Sequence, residues 1–292
     1  MIFTQVQNTQ LCNQLFILAH YIANSAEYNT KYFYIEYKKI NIYFKNVKFD
    51  KIYINNFYIL KNNFSINLYK GLYFLLKPLN YLSNNNIIIL FYKLYYINAV
   101  KQINLSANNI LEISKSNNIL LNGWLIRDNK SFNKHSNLIK KIFSFDEVTN
   151  KKASNLINHL RKENNELIIG LHIRRGDYIN FEGGKYYYDN KSYIDISEKL
   201  IRLFMGINKK VAFVICSNEK QLGFGNDFHS HHYAKYNNSE IEDLCMLSLC
   251  DYIVGPPSTF SGWASFIGNG PLYHIYNIYS DIKISDFSVY KG

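Results

Sequence analysis

Cysteine is scarce in this sequence, with only four residues among 292. The four lie far apart or inside apolar segments, and no two of them form a CxxC pair. This spacing excludes a disulfide framework of the kind found in small secreted proteins. Cysteine outside such frameworks usually behaves as a small buried apolar residue. We therefore expect reduced and mostly buried thiols at Cys12, Cys216, Cys245 and Cys250.

Long apolar runs are also missing. The most hydrophobic stretch, residues 71–82, is interrupted by Lys77 and Pro78 and falls short of the roughly 20 residues that cross a bilayer. The first ten residues lack the basic start and the long apolar core of a secretory signal. Because 48% of the residues are nevertheless hydrophobic, the sequence predicts a cytoplasmic globular chain with a sizeable core.

Common nucleotide and metal motifs are absent as well. The sequence has neither a Walker loop nor a GxGxxG turn, so P-loop chemistry and NAD binding are not supported. His229, His231 and His232 lie in a loop that also contains Gly, Asn and Ser. Clustered loop histidines are more often solvated than bound to a metal, and we expect no metal site.

Acidic residues are fewer than basic ones, which gives a net charge of +11 and a pI near 9.2. Such a balance is found in proteins that bind nucleic acids or membrane surfaces. The lysines are scattered, however, and the abundant Asn, Ile, Lys and Tyr all have A/T-rich codons. The charge therefore favours a solvated basic surface, and a polyanion-binding module remains an alternative.

The order of helical and extended segments predicts an α/β fold. In the C-terminal half, short apolar runs alternate with amphipathic segments, which indicates a parallel sheet covered on both faces. Strands are predicted at residues 167–171, 211–216 and 252–254, and helices at residues 193–205, 240–249 and 259–267, the last capped by Ser258 or Thr259.

The N-terminal half is patterned less regularly. Apolar spacing predicts a helix over residues 13–28, capped by Asn13 or a neighbour. Further strands are predicted at residues 32–36 and 119–124, further helices at residues 136–145 and 151–163, and mixed helix and loop between the two strands. We therefore divide the chain into an N-terminal α/β domain, residues 1–150, and a Rossmann-like domain, residues 151–292.

Two adjacent arginines follow the strand at residues 167–171, within the stretch LIIGLHIRRGDY. Guanidinium groups at the carboxyl end of a strand are costly to bury without an anion, and ligands bind at this edge of an open α/β sheet. Arg174 and Arg175 could thus bind phosphate, or they could form a surface ion pair with Asp177. The stretch alone leaves both readings open.

Two later features are compatible with a bound phosphate. The hydroxyl and N–H groups of Ser258, Thr259 and Ser261, at the start of a predicted helix, could hold an anion, although Ser258 could equally be a simple cap. Asp243, next to Glu242 in the first turn of the preceding helix, is either a partner of the helix dipole or an acceptor for N1 and N2 of a guanine.

The ordered motifs carry a family resemblance. Residues 172–178, HIRRGDY, resemble the HxRRxDY signature of α-1,2-fucosyltransferases, glycosyltransferase family 11. Residues 13–16 are similar to the family's GNQ(M/L)F element, and residues 122–132 loosely resemble its GYWQS…F segment. Residues 243–250 followed by 258–263 are similar to EEDLxLMSLCxHxIxxxSTFSWW. The resemblance implies a GT-B-like fold of two Rossmann-type halves, GDP-L-fucose as donor, and inversion at the anomeric carbon without a metal.

The resemblance also implies roles for single residues, carried over by position. The donor would be bound by His172 near the nucleotide, Arg174 and Arg175 at the diphosphate, Ser258, Thr259 and Phe260 on the phosphate side, Asp243 at the guanine, and Asn13. The catalytic set would be Arg174 and Arg175 with Asp177 or Glu182 as competing bases, unless no base is needed. Glu182 lies five residues after the motif aspartate, where related α-1,6-fucosyltransferases have a proposed base.

The sequence departs from the family pattern at three positions. Gln10 and Cys12 replace two glycines, and Ala264 replaces the second tryptophan of SWW, which could alter the choice of acceptor. The resemblance implies a galactoside acceptor on a surface glycan, no cofactor and no nucleic acid, with peripheral contact to the inner membrane face through a lipid-linked acceptor. Alternatives are another linkage or GDP-sugar, and a non-catalytic polyanion- or glycan-binding protein.

Overall fold

The computed structural model describes residues 1–5, 10–35, 56–60, 87–91, 94–99, 101–123, 125–163, 165–219 and 238–292, together with positions 67, 71 and 74. These residues form two compact units, one of residues 1–144 with 291–292 and one of residues 145–290. Each unit is built around its own sheet. Trp124, His229, His231, His232 and most of the stretch 71–82 lie outside the described residues.

The N-terminal unit contains a six-stranded sheet and a two-stranded ladder. Its strands are β1 (Ile2–Gln5), β2 (Tyr32–Ile35), β3 (Phe57–Leu60), β4 (Ile87–Phe91), β5 (Leu94–Ala99), β6 (Ile103–Asn104), β7 (Asn118–Gly123) and β8 (Ile126–Arg127). The large sheet has the order β3-β2-β1-β7-β5-β4, and β6 pairs with β8. All pairs are parallel except β4 with β5.

The helices of this unit are α1 (Leu11–Tyr28), α2 (Asn108–Ser116), α3 (Asn129–Lys134) and α4 (Ser136–Ile142). Helix α1 is buried along most of its length, and its buried Asn24 is bonded on both sides of its amide. The amide of Asn24 donates to Asp128 over 2.8 Å, and the hydroxyl of Tyr32 donates to Asn24 over 2.8 Å. The predicted cap was Asn13 or a neighbour. Asn13 is wrong, because the buried residue Leu11 already starts the helix and Gln10 occupies the N-cap position.

The C-terminal unit has a four-stranded sheet that is parallel throughout. Its strands are β9 (Leu167–Ile173), β10 (Val211–Ser217), β11 (Tyr252–Gly255) and β12 (Leu272–His274), in the order β10-β9-β11-β12. Its helices are α5 (Glu147–Lys162), α6 (Asn190–Met205), α7 (Glu240–Ser248) and α8 (Thr259–Gly268). Short 3-10 turns occupy Gly176–Ile179, Phe181–Gly184 and Ile284–Asp286. The predicted α/β fold with parallel sheets is confirmed. Strand β12 was not predicted, and the N-terminal segment predicted as mixed helix and loop contains the strands β3, β4, β5 and β6.

The two faces of the C-terminal sheet are covered by different helices. Ile169 and Leu171 of β9 belong to an apolar cluster that includes Phe204 of α6. Gly170 faces the other way, where an added Cβ would lie 2.7 Å from Leu247 of α7. Because side chains alternate along a strand, His172 points to the same side as Gly170, toward α7 and α8.

The predicted thiols are confirmed as free and buried. Among the helices of the described residues, none is both long and apolar enough to span a bilayer.

Candidate active site

The carboxyl ends of the four parallel strands of the C-terminal unit meet at one edge, and most predicted site residues lie there. Arg174 and Arg175 follow β9, and Asn218 follows β10. Ser258 precedes α8, two residues after the Pro that follows β11, and His274 ends β12. This edge is where an open α/β sheet binds ligands.

All three guanidinium nitrogens of Arg175 donate hydrogen bonds to the protein. It is only 8% exposed. Its Nη1 donates to Glu219 over 2.8 Å, its Nε donates to the carbonyl of Tyr188 over 3.3 Å, and its Nη2 donates to Asn190. Its backbone N–H donates to the side chain of Asn218 over 2.9 Å. This geometry makes Arg175 a support of the loop, and its contact with a diphosphate remains a prediction.

Arg174 has fewer protein partners than its neighbour. Its Nη2 lies 3.0 Å from a carboxylate oxygen of Asp177, which is half exposed, and its guanidinium lies 5.6 Å from the ring centroid of Tyr178. Its Nε is buried and has no hydrogen-bond partner within the described part of the chain. A buried charged donor left unbonded is costly, so this nitrogen fits an anionic ligand.

His172 lies beside Arg174 and is almost fully buried. Its ring packs at 5.1 Å from the ring of Phe260, at the start of α8. Burial, with smaller contributions from Arg174 and His274, lowers the pKa of His172 to about 3, so the ring is neutral at pH 7. Its Nδ1 is buried and finds no partner among the residues described. His172 thus offers one free ring nitrogen beside the arginine.

Helix α8 begins as predicted, with Ser258 as its N-cap. The hydroxyl of Ser258 accepts the backbone N–H of Phe260 over 3.2 Å. Thr259 is the first helical residue, and the hydroxyl of Tyr178 donates to the carbonyl of Pro257 just before the helix. The last bond ties the arginine loop to the helix start. The capping role of Ser258 is confirmed, and the anion-binding role of this segment stays a prediction.

Asp243 lies in the first turn of α7, next to the end of β10. The thiol of Cys216 donates to the backbone carbonyl of Asp243 over 3.6 Å, and the amide of Asn238 donates to its carboxylate over 3.1 Å. Helix capping is provided instead by Ser239 with Glu242, which also bonds to Lys152 over 2.7 Å. The partly buried carboxylate of Asp243 is therefore not used for helix capping.

Burial raises the pKa of Asp243 from 3.8 to about 6. The folded protein thus binds more protons than the unfolded chain between about pH 4 and pH 6, and the free energy of unfolding should fall as the pH rises through this window. At pH 8, Asp243→Asn is expected to raise the free energy of unfolding by about 1–2 kcal/mol, and at pH 4 the gain should vanish. Thermal unfolding at both pH values measures this difference.

The neighbouring Glu242→Gln variant is a matched control for Asp243→Asn. The pKa of Glu242 is lowered, chiefly by its bond with Lys152. Replacement of Glu242 by Gln should therefore lower the free energy of unfolding at pH 8. A lower melting temperature for Asp243→Asn than for the parent at pH 8 would contradict the burial argument.

The two candidate bases lie in the turns after the arginines. Asp177 is in the first 3-10 turn and pairs with Arg174. Glu182 is exposed and has left-handed backbone angles, φ 48° and ψ 41°, followed by Gly183 and Gly184, which also have positive φ. A non-glycine residue held in this region is strained, and such strain is concentrated at functional sites.

Asn13 is the one predicted site residue in the N-terminal unit, in the first turn of α1. In the part of the chain that the structure describes, no group of three or more His, Cys, Asp or Glu residues is arranged to hold a metal.

Several residues of this edge were not identified from the sequence. Glu219 and Asn190 hold Arg175, although they are 44 and 15 residues away along the chain. His274 lies on the three-residue strand β12. The sequence does contain a signal for this strand. The apolar residue Leu272 directly follows Pro271, at the point where the alternation of helices and strands calls for another strand.

Comparison with known proteins gives a family match and similar folds. The sequence profile of glycosyl transferase family 11 matches residues 6–288. No curated protein sequence matches the chain. A mutant of FUT1 from Arabidopsis thaliana in complex with GDP has a similar fold, with 11% identity, a TM-score of 0.59, and coverage of 98% of this chain and 73% of that chain. POFUT1 in complex with GDP-fucose is also similar, with 10% identity, a TM-score of 0.51, and coverage of 91% and 93%.

Proposed function

Because this chain belongs to glycosyl transferase family 11, we propose that it moves L-fucose from GDP-L-fucose to a galactoside hydroxyl, in an α-1,2 linkage on a surface glycan. The observation that carries the proposal is a pair of buried nitrogens at the carboxyl edge of β9, Nε of Arg174 and Nδ1 of His172, which have no hydrogen-bond partner among the described residues. They lie beside the start of α8, where the first-turn N–H groups have no backbone partner within the helix and favour anions. Positive charge and helix-terminal donors together suit the diphosphate of a nucleotide sugar.

The proposed mechanism follows from the chemistry of glycosyl transfer. The fucosyl carbon passes through an oxocarbenium-like state while GDP departs, so negative charge grows on the diphosphate. Arg174 and the N–H groups at the start of α8 would stabilise that charge, with Arg175 fixing the loop. The acceptor oxygen then attacks from the opposite face and inverts the anomeric centre. These groups supply the positive charge that a divalent cation supplies in metal-dependent enzymes. Turnover should therefore persist in EDTA.

The two halves of the chain would divide the substrates. Residues 151–292 contain all the proposed donor-binding residues except Asn13, and we assign them to GDP-L-fucose. Residues 1–150 would form the acceptor side. Asp243 would accept N1–H and N2–H of the guanine, because one oxygen of its partly buried carboxylate accepts from Asn238 and capping is carried out by Ser239 with Glu242. A cytoplasmic location, with membrane contact through a lipid-linked acceptor, completes the proposal.

The experiment that tests the donor is isothermal titration with GDP-L-fucose, GDP-mannose and UDP-galactose. We expect binding of the guanosine donors and preference for fucose, and preference for the uridine donor would contradict the proposal. A transfer screen over galactosides, with the product linkage read by NMR, tests the acceptor. Binding without transfer or hydrolysis would favour a non-catalytic glycan-binding protein, and salt-dependent binding of oligonucleotides that survives Arg174→Ala would favour a polyanion-binding module.

The base is tested by comparing Glu182→Gln with Asp177→Asn. Glu182 is exposed, whereas Asp177 is already engaged by Arg174. We therefore expect Glu182→Gln to lower kcat by about 10²-fold, as for loss of a general base, and Asp177→Asn to lower it less. Steady-state kinetics at saturating GDP-L-fucose measures both, and Gln keeps the side-chain length at position 182. The reverse order of effects would assign the base to Asp177.

A further inference from the structure

His274 is a partly buried histidine at the carboxyl end of β12 that the proposed mechanism does not use. Its ring meets the ring of Tyr276 edge-on at 5.9 Å and that of Tyr290 at 6.4 Å. Its Nε2 is buried and makes no hydrogen bond with any described residue. A buried ring nitrogen without a partner is unfavourable unless a ligand bonds to it.

The strand register places His274 in one row with His172. Val254 of β11 pairs with Leu171 of β9, so the next residues in register are Gly255 and His172, and Gly255 in turn pairs with His274. The three residues thus lie side by side on neighbouring strands and share a face of the sheet. Gly255 leaves the space between the two imidazoles without a side chain, and an added Cβ there would lie 2.9 Å from the Cβ of His172.

The nitrogens near this row suit an anion. Burial lowers the pKa of His274 to about 4, so both histidines are neutral at pH 7 and each can donate one hydrogen bond. Arg174 and His274 both lie close enough to His172 to lower its pKa electrostatically. Nε of Arg174, Nδ1 of His172 and Nε2 of His274 therefore form a cluster of three nitrogens that have no hydrogen-bond partner among the described residues, and one of the three is charged.

The strand order indicates which anionic group reaches His274. Asp243 lies next to the end of β10, at one edge of the sheet, whereas His274 ends β12 at the opposite edge. A nucleotide with its base at Asp243 therefore runs along the ends of β9 and β11 toward β12. The terminal phosphate of that nucleotide would then lie at the end of β12.

We propose that His274 is a donor-binding residue whose Nε2–H donates a hydrogen bond to the β-phosphate of the guanosine diphosphate. This assignment rests on the proposed function, because it takes GDP-L-fucose as the donor. His274 then holds the phosphate that leaves with the nucleotide, opposite the arginine side of the cluster. It extends the donor site across Gly255 to a strand that carries none of the motif residues.

The test is titration of the parent, His274→Phe and His274→Gln with GDP, GMP and guanosine. Phe keeps the aromatic packing against Tyr276 and removes the nitrogen, and the Gln amide restores a donor near the position of Nε2. We expect His274→Phe to weaken GDP binding about 10-fold, as for loss of a hydrogen bond to a charged group, and to leave GMP and guanosine binding unchanged. His274→Gln should recover most of the GDP affinity.

The thermal stability of the three proteins separates binding from folding. Replacing an unbonded buried nitrogen by carbon should not lower the melting temperature. Equal GDP affinity of parent and His274→Phe, or equal weakening of GDP and GMP, would overturn the assignment. Failure of the parent itself to bind GDP would instead overturn the proposed function.

Discussion

Arg174→Ala is expected to lower kcat/KM for transfer from GDP-L-fucose by about 10³-fold while the protein stays folded. The guanidinium is the only charged member of the three-nitrogen cluster formed with His172 and His274, and charge on the leaving diphosphate grows in the transition state. Among the described residues it forms an ion pair with Asp177, whose side chain is 48% exposed. Loss of such a pair should change the free energy of unfolding by less than about 1 kcal/mol.

Arg174→Lys is the matched variant, because it keeps the charge and removes the planar fork. We expect it to restore little of the activity, since an ammonium cannot place two parallel hydrogen bonds on a phosphate. Initial rates with GDP-L-fucose and thermal unfolding of both variants are the measurements. Parent-like turnover of folded Arg174→Ala would contradict the assignment of Arg174 to the leaving group.

Arg175→Met is expected to have its largest effect on stability, with a loss of about 3 kcal/mol in the free energy of unfolding. The substitution removes the donors that satisfy Glu219, the carbonyl of Tyr188 and the side chain of Asn190. For a unit of this size the melting temperature should fall by roughly 6–12 °C. Calorimetry or circular dichroism measures the shift.

Glu219→Gln is the matched control for Arg175→Met. Gln keeps an oxygen that accepts from Arg175 and removes only the charge, and the glutamate is itself 41% exposed at its side chain. The loss should therefore be no more than about 1 kcal/mol. If Arg175 instead contacts the diphosphate, Arg175→Met should remain as stable as the parent and lose GDP affinity to the same extent as Arg174→Ala.

The different surroundings of the two arginines show where prediction from sequence stops. The strand that precedes them could be predicted because Leu167–Leu171 is a short apolar run rich in branched residues. The position of the two arginines at the carboxyl end of that strand follows from their place directly after the run. Which guanidinium turns inward could not be predicted, because Glu219 and Asn190 come from later segments that only the folded chain brings to Arg175.

Helix starts and very short strands show the same limit. Ser258 or Thr259 was predicted as a cap because hydroxyl residues stand directly between a Pro-Pro turn and a helix, and the structure has Ser258 in this role. Asn13 or a neighbour was predicted as a cap by residue type, but the buried positions of α1 begin two residues before Asn13. Strand β12 has three residues, too few for a period of two to stand out, and His274 was missed with it.

The bond from the Tyr178 hydroxyl to the carbonyl of Pro257 has a thermodynamic consequence for donor binding. It joins the loop after β9 to the residues before α8, so both sides of the proposed phosphate site are set by folding. A ligand that binds between them has little chain left to immobilise, and the ordering entropy that opposes many loop-based sites is small. Titration calorimetry of GDP should therefore show a heat-capacity change accounted for by the surface that the nucleotide covers, without an added contribution from loop folding.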